Sequence, residues 1–199
     1  MTDCLSTPAV PALRPILRQH LLHLPCGALL LRPLQRADLP RWRVFDHRRQ
    51  HGRRYPMDID AEARFLAAVQ RSRLQHDNDR LLLGVFAGEQ GALLDEIELR
   101  LHSAHARSVE LWSSFEHTAE LHRVLQTLCP FLFDGVGLHR VFLLLPAAPR
   151  PAIAAALQSS GFEQEGVLRD HHRDGAGWQD RQLHALVAPV WRRRSDASA

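Results

Sequence analysis

The stretch Gly137-Leu138-His139-Arg140-Val141-Phe142-Leu143-Leu144-Leu145, together with residues 146–186, decides the fold. Val141 to Leu145 is an unbroken apolar run bounded by turn residues, the pattern of a buried strand. After a proline-broken turn, residues 151–160 read as a short Ala-rich helix with Ile153 and Leu157 on one face, and Gly161 stands where a helix commonly ends. Gly166 to Arg169 and Arg181 to Leu186 read as two further strands, joined by a polar, glycine-bearing loop from Asp170 to Trp178.

Gly137-Leu138-His139-Arg140-Val141, Gly161-Phe162 closing a helix, Glu165-Gly166-Val167-Leu168-Arg169-Asp170, Asp174-Gly175, Trp178-Gln179-Asp180 and Leu183 together resemble the C-terminal half of GNAT-superfamily acyltransferases. The nearest branch is the Rim type, which acetylates ribosomal-protein N-termini. Upstream, Leu29 to Leu34 followed by Asp38-Leu39 resembles that branch's first strand and helix start. The resemblance covers residues 27–191 and implies an α+β (α/β) GNAT fold, a mixed central sheet of about six to seven strands flanked by helices. Residues 1–26 form an N-terminal extension and residues 192–199 a disordered tail in this reading.

The chain has 199 residues, the size of one domain with one core. Its 25 basic residues, all arginine, stand against 22 acidic ones; clusters such as Arg48, Arg49, Arg53 and Arg54 could serve nucleic acid or an acidic partner, but a net charge of +3 is too small to argue that strongly. Cys4, Cys26 and Cys129 are scattered without paired spacing, which points to a reduced, cytoplasmic setting. No apolar run approaches the roughly 18 residues of a membrane span, and no membrane partner is expected. Within the extension, Leu13, Ile16, Leu17, Leu21 and Leu24 recur at helical spacing. That extra helix packs over a sheet edge or groove; the alternative is a dimerisation arm, making a homodimer.

Asp38 reads as the N-cap of a helix with Pro40 in its first turn and Leu39, Trp42 and Phe45 on its inner face. A second helix, residues 61–74, turns Phe65, Leu66 and Val69 inward. The resemblance makes this helical region the acceptor wall, rimmed by Arg48, Arg49, Arg53, Arg54 and Tyr55, which suits an acidic acceptor; the alternative is a solvated basic face. Residues 80–87, 93–102 and 108–112 read as strands. In the second of these, Ile97, Leu99 and Leu101 alternate with Glu96, Glu98, Arg100 and His102, as in a half-solvated strand.

The resemblance implies acetyl-CoA as cosubstrate, its pyrophosphate held by a glycine-bearing loop after the fourth strand, where helix N–H groups need close backbone approach. Here that loop is Ser113-Ser114-Phe115-Glu116-His117-Thr118-Ala119-Glu120, without glycine; His117 and Ala119 stand at the glycine positions. Ser113 and Glu116 have capping-box spacing, and Glu116 and Glu120 place negative charge where the phosphates would lie. Next come Leu121, Val124, Leu125, Leu128 and Leu132 at core spacing, with Pro130 kinking the helix. Arg150 and Ile153 replace the family's Asn and Ser at the next helix start, and the single tyrosine, Tyr55, is far from the usual thiolate-protonating position.

Amine acylation needs a base, an oxyanion donor and a proton source for the thiolate. Glu110 is the first candidate base, with Glu98 and His102 as reserves; the plain alternative for Glu110 is a strand carboxylate paired with an arginine. Trp178 matches a family position and reads as a packing anchor, or else as part of the acceptor site. The 13 histidines show no ligand spacing, and no metal is expected. Three functions are compatible with these residues: an acyl-CoA-dependent N-acyltransferase acting on a protein N-terminus or small amine; a GNAT-fold protein that has lost CoA and serves as a binding, regulatory or assembly subunit; and an arginine-rich binder of nucleic acid or acidic protein.

Overall fold

A computed structural model describes residues 22–51, 60–72, 80–103, 105–113 and 118–197. Among them, β1 (Leu24–Cys26), β2 (Leu29–Arg32), β3 (Arg80–Phe86), β4 (Leu93–Ser103), β5 (Ser108–Ser113), β6 (Arg140–Pro146), β7 (Glu163–Asp174) and β8 (Gly177–Val187) form one sheet. The order is β1-β2-β3-β4-β5-β6-β8-β7, and β5–β6 is the parallel pair. The helices are α1 (Leu39–His51), α2 (Ala61–Ser72), α3 (Thr118–Pro130), α4 (Pro151–Ser159) and α5 (Ala188–Asp196).

Strand periodicity sorts the apolar residues onto two faces. Leu31, Leu83, Val85, Ile97, Leu111, Val141 and Leu143 join Leu121, Val124, Leu125 and Leu128 of α3 and Ile153 and Leu157 of α4 in one core. Leu30, Leu82 and Phe86 face the other way, onto Trp42 and Phe45 of α1 and Phe65 and Val69 of α2. Each such side chain contributes about 1.5–3 kcal/mol on full burial. Gly161 has φ +90° after α4, and an added Cβ there would lie 2.8 Å from Arg194 Cδ, so the glycine both ends the helix and admits α5 beside it.

The sheet has eight strands, one or two more than expected. Leu24, assigned to a helical face, begins β1; the rest of the expected N-terminal helix lies outside the described residues. Leu66 is 40% exposed, while Ala68 takes the inward place beside Phe65. Pro130 closes α3 and is succeeded by a single π turn, Phe131–Gly135, where proline's missing N–H interrupts the α ladder. The loop expected from Asp170 to Trp178 is mostly strand, turning only at Gly175-Ala176. The expected tail from residue 192 continues α5 to Asp196, where Trp191 stacks on Phe133 and donates to Asp134. Glu96 and Glu98, expected to face solvent, are buried, because α1 covers that face and Trp42 Nε1 donates to Glu96 Oε1 at 2.8 Å.

Asp38 sits one turn later than a simple N-cap, in a 3-10 turn, Arg36–Asp38, where it accepts from the backbone N–H of Gln35 at 2.8 Å. Only 1% exposed, it binds Arg32 at 2.7 and 2.8 Å and Arg41 at 2.8 Å, tying β2 to α1. Burial pushes its carboxyl up, but the bonds from Arg32, Gln35 and Arg41 outweigh burial and hold it below its ordinary value. A depressed carboxyl stabilises the fold above its unfolded-state pKa and loses that contribution as pH falls through its folded value. Asp38→Asn, which leaves Arg32 without its carboxylate, is expected to cost about 3 kcal/mol at neutral pH. The loss should shrink as pH falls below the ordinary carboxylate range and the native carboxylate itself protonates, as read by urea unfolding at neutral and at acid pH.

Candidate active site

β5 and β6 run side by side for three residue pairs, Ser108–Arg140, Val109–Val141 and Glu110–Phe142. Beyond them the strands part. Leu111 and Trp112 pair within the sheet only outward, with β4, and Leu143 to Pro146 only with β8, leaving the two inner strand edges facing across a split. Such edges carry unpaired N–H and C=O groups able to bind an extended chain of amides.

Glu110 stands at the foot of this split, half-buried, on the face that α1 and α2 leave open. Arg100 lies opposite it across β4 and β5, yet donates to Glu98 Oε2 at 3.0 Å. Glu98, 4% exposed, also has Arg80 at 3.5 Å. The pairing anticipated for Glu110 therefore falls to Glu98, a poor base between two guanidinium groups, while Glu110 has no hydrogen bond or ion pair among the described residues. Arg100 also lies 5.3 Å from the ring of Trp112, which is 40% exposed. His102 is exposed and meets Phe142 edge-on at 5.4 Å; Arg140 lies 5.7 Å over that same ring and is bonded to Glu165. Acid, aromatic and basic groups thus line one face beside the split.

At the α3 end of the split, Ser113 donates to Asp95 Oδ2 at 2.9 Å, both buried. Asp95, Ser113 and Glu120 share a small pocket with Leu94, Ile97, Leu121 and Val124. Thr118 and Ala119 open α3; Ser114 and His117 lie outside the described residues. Arg150 occupies the N-cap of α4 without a side-chain cap bond, and Ile153 is in the core. The fit to acetyl-CoA is therefore uneven. The split suits the extended amide arm, whereas carboxylates at Asp95 and Glu120 oppose an anion beside α3's first turn. Burial pushes the Cys129 thiol up to about 12, which removes it as a nucleophile.

Of the expected acceptor residues, Arg53 and Tyr55 lie outside the described residues, and Arg49 is on α1 with its side chain undescribed. Trp178 is 61% exposed on β8 and anchors no packing among the described residues. Sequence reasoning missed Asp95, Trp112 and Phe142 as site residues: strand alternation gives a residue's face, but not which strands part or what covers them. Among the described residues no three His, Cys, Asp or Glu side chains converge as metal ligands, and no helix is long and apolar enough to cross a membrane.

No protein-family model matches the chain, and no curated protein matches it in sequence. Among solved structures, the chain is similar to the ribosomal-protein-S5-alanine acetyltransferase of Vibrio fischeri, with a TM-score of 0.70 and 14% identity, over 85% of this chain and 98% of that one. It is also similar to the dodecameric spermidine N-acetyltransferase of Vibrio cholerae, with a TM-score of 0.65 and 20% identity, over 85% of this chain and 99% of that one. The chain has the GNAT acetyltransferase fold. Ribosomal-protein acetyltransferases, the branch its motifs resemble, are among the structures that share it.

Replacing Arg100 by Met should cost about 3 kcal/mol in urea unfolding, because Glu98 would stay buried with only the longer Arg80 contact. The companion variant Arg100→Met with Glu98→Gln should recover much of that loss. An equal loss in both would mean that the buried charge is not the cause.

Proposed function

We propose that the chain is an acyl-CoA-dependent N-acyltransferase acting on an amine, either a protein N-terminus or a small molecule. One observation carries the reading: the sheet parts immediately beyond Glu110 and Phe142, and a carboxylate with no partner among the described residues stands at the foot of the split. The inner edges of β5 and β6 would hold the amide arm of the acyl donor, bringing its thioester to this point from the α3 side. The acceptor amine would approach over Trp112, Phe142 and His102 on the other face.

In the transfer, the amine nitrogen attacks the thioester carbonyl carbon while Glu110 accepts a proton from that nitrogen. Backbone N–H groups on the inner edge of β5 are the available donors to the carbonyl oxygen as it gains charge. The C–N bond forms, the C–S bond breaks, and the leaving thiolate takes up a proton from water to depart as CoA, while Glu110 returns its proton to solvent. Glu98, held by arginines, and His102, turned edge-on to Phe142, shape the acceptor face rather than accept the proton. Free, buried Cys26 and Cys129 are in keeping with a reduced cytoplasmic setting.

A second reading keeps the fold without the chemistry. Asp95 and Glu120 beside α3's first turn, with Ile153 where the resemblance expects a polar side chain, favour a binding, regulatory or assembly subunit that no longer takes CoA. Calorimetric titration with acetyl-CoA and CoA at low salt separates the two. The acyltransferase reading expects a micromolar dissociation constant, roughly 8 kcal/mol. With an amine acceptor identified, Glu110→Gln should lower kcat by about 10²–10⁴-fold and leave CoA binding unchanged. No heat and no thermal stabilisation at millimolar ligand would overturn the reading in favour of the second.

A further inference from the structure

We propose that the cavity between α3, α4 and α5 is a second binding site, which takes a small aromatic carboxylate. Its volume is about 290 Å³, far more than one water needs and close to the lower end of ligand pockets. It is separate from the split in the sheet. Glu120, Leu121 and Val124 of α3 line the pocket at the split, whereas His122, Leu125 and Cys129 of the same helix line this one.

The floor is apolar and the walls are anchored. Leu125 and Cys129 are buried, and Trp191 of α5 supplies an aromatic wall. Its ring stacks on Phe133 at 5.7 Å and its Nε1 donates to Asp134 at 3.0 Å, which together hold the indole in place. A planar apolar body therefore meets a surface already arranged to receive it.

The rim decides the charge of the ligand. α4 ends there, and a helix C-terminus with bare carbonyls would repel an anion. These carbonyls are not bare. Ser159 Oγ donates to Ala155 O at 2.9 Å, Ser160 Oγ to Ala156 O at 2.7 Å, and Arg194 Nη2 to Ser159 O at 2.7 Å. The same two hydroxyls lie 3.1 and 3.0 Å from His122 Nδ1 and fix the imidazole, whose Nε2 has no hydrogen bond among the described residues. None of the described residues lining the cavity is acidic, and Arg194 carries a permanent positive charge. Charge complementarity thus selects an anion. The helix ends at the cavity, of α4 and α5, are both C-terminal, so it lacks the clustered backbone N–H donors that suit a phosphate. A singly charged, planar carboxylate beside the guanidinium is the better match. The proposal does not depend on acyl transfer and stands whether or not CoA binds.

Calorimetric titration of the full chain with naphthoate, and with the uncharged naphthalenemethanol as comparator, tests it. The expected dissociation constant for the acid is roughly 0.1 mM, within reach of a ligand of that size. The alcohol should bind about 10-fold more weakly, the worth of one charge-assisted hydrogen bond. Arg194→Gln should weaken the acid by about 10-fold and leave the alcohol unchanged. Gln126→Trp, which fills the cavity from an exposed position on α3, should abolish binding of both without lowering the unfolding temperature. Acetyl-CoA at millimolar concentration should leave the acid's affinity unchanged. No heat with millimolar naphthoate, equal binding of acid and alcohol, binding that survives Gln126→Trp, or displacement by acetyl-CoA would each overturn the proposal.

Discussion

The parallel contact between β5 and β6, three residue pairs long, joins two antiparallel half-sheets, β1 to β5 and β6 to β8. So short a ladder cannot fix the relation of the halves. The helices that cross it do that. Val109 and Leu111 on one side and Val141 and Leu143 on the other are buried in the same core, beneath α3 and α4. Apolar burial of several such side chains, at about 1.5–3 kcal/mol each, outweighs the hydrogen bonds the strands forgo by parting. The split lies where α3 crosses from the end of β5 to the start of β6, over a core that both strands share.

On the opposite face, charge is distributed so that one acid stays available. Arg100 could serve either Glu98, two residues away on its own strand, or Glu110 across the ladder. It takes Glu98 because that carboxylate is buried and an unpaired buried charge is the costlier state. Glu110, half-buried with water within reach, needs no such compensation. The guanidinium then lies over Trp112, so one arginine satisfies the buried acid and covers part of an exposed ring.

Much of this is legible in the sequence. Val141 to Leu145 declares a strand because it is apolar throughout, although only Val141, Leu143 and Leu145 are buried and Phe142 and Leu144 are half-buried, and Gly161-Phe162 marks the end of α4 because a glycine accommodates that φ beside Arg194. What is not legible depends on distant covering. The alternation at Glu96 and Glu98 indicates the right face and the wrong exposure, since Trp42, more than fifty residues earlier, supplies both the cover and a donor. Asp170 to Trp178 reads as a loop because a ribbon with no core beneath it has no need of apolar residues. The pairing of Arg100 depends on relative burial, which spacing does not encode.

The two features that bear on function pull apart, and their costs differ. Exposed or half-exposed carboxylates such as Glu120 cost the free protein little wherever they lie, so the acidic turn of α3 is easily acquired by drift. Unpaired strand edges are different. Closing the split would let Leu111 and Trp112 complete a ladder with the facing edge of β6, and each backbone hydrogen bond gained is worth about 1 kcal/mol. The free protein forgoes those bonds, and an amide chain seated along both edges is the kind of occupant that would restore them. The open split therefore weighs more heavily as a sign of a bound amide chain than the acidic turn weighs against one.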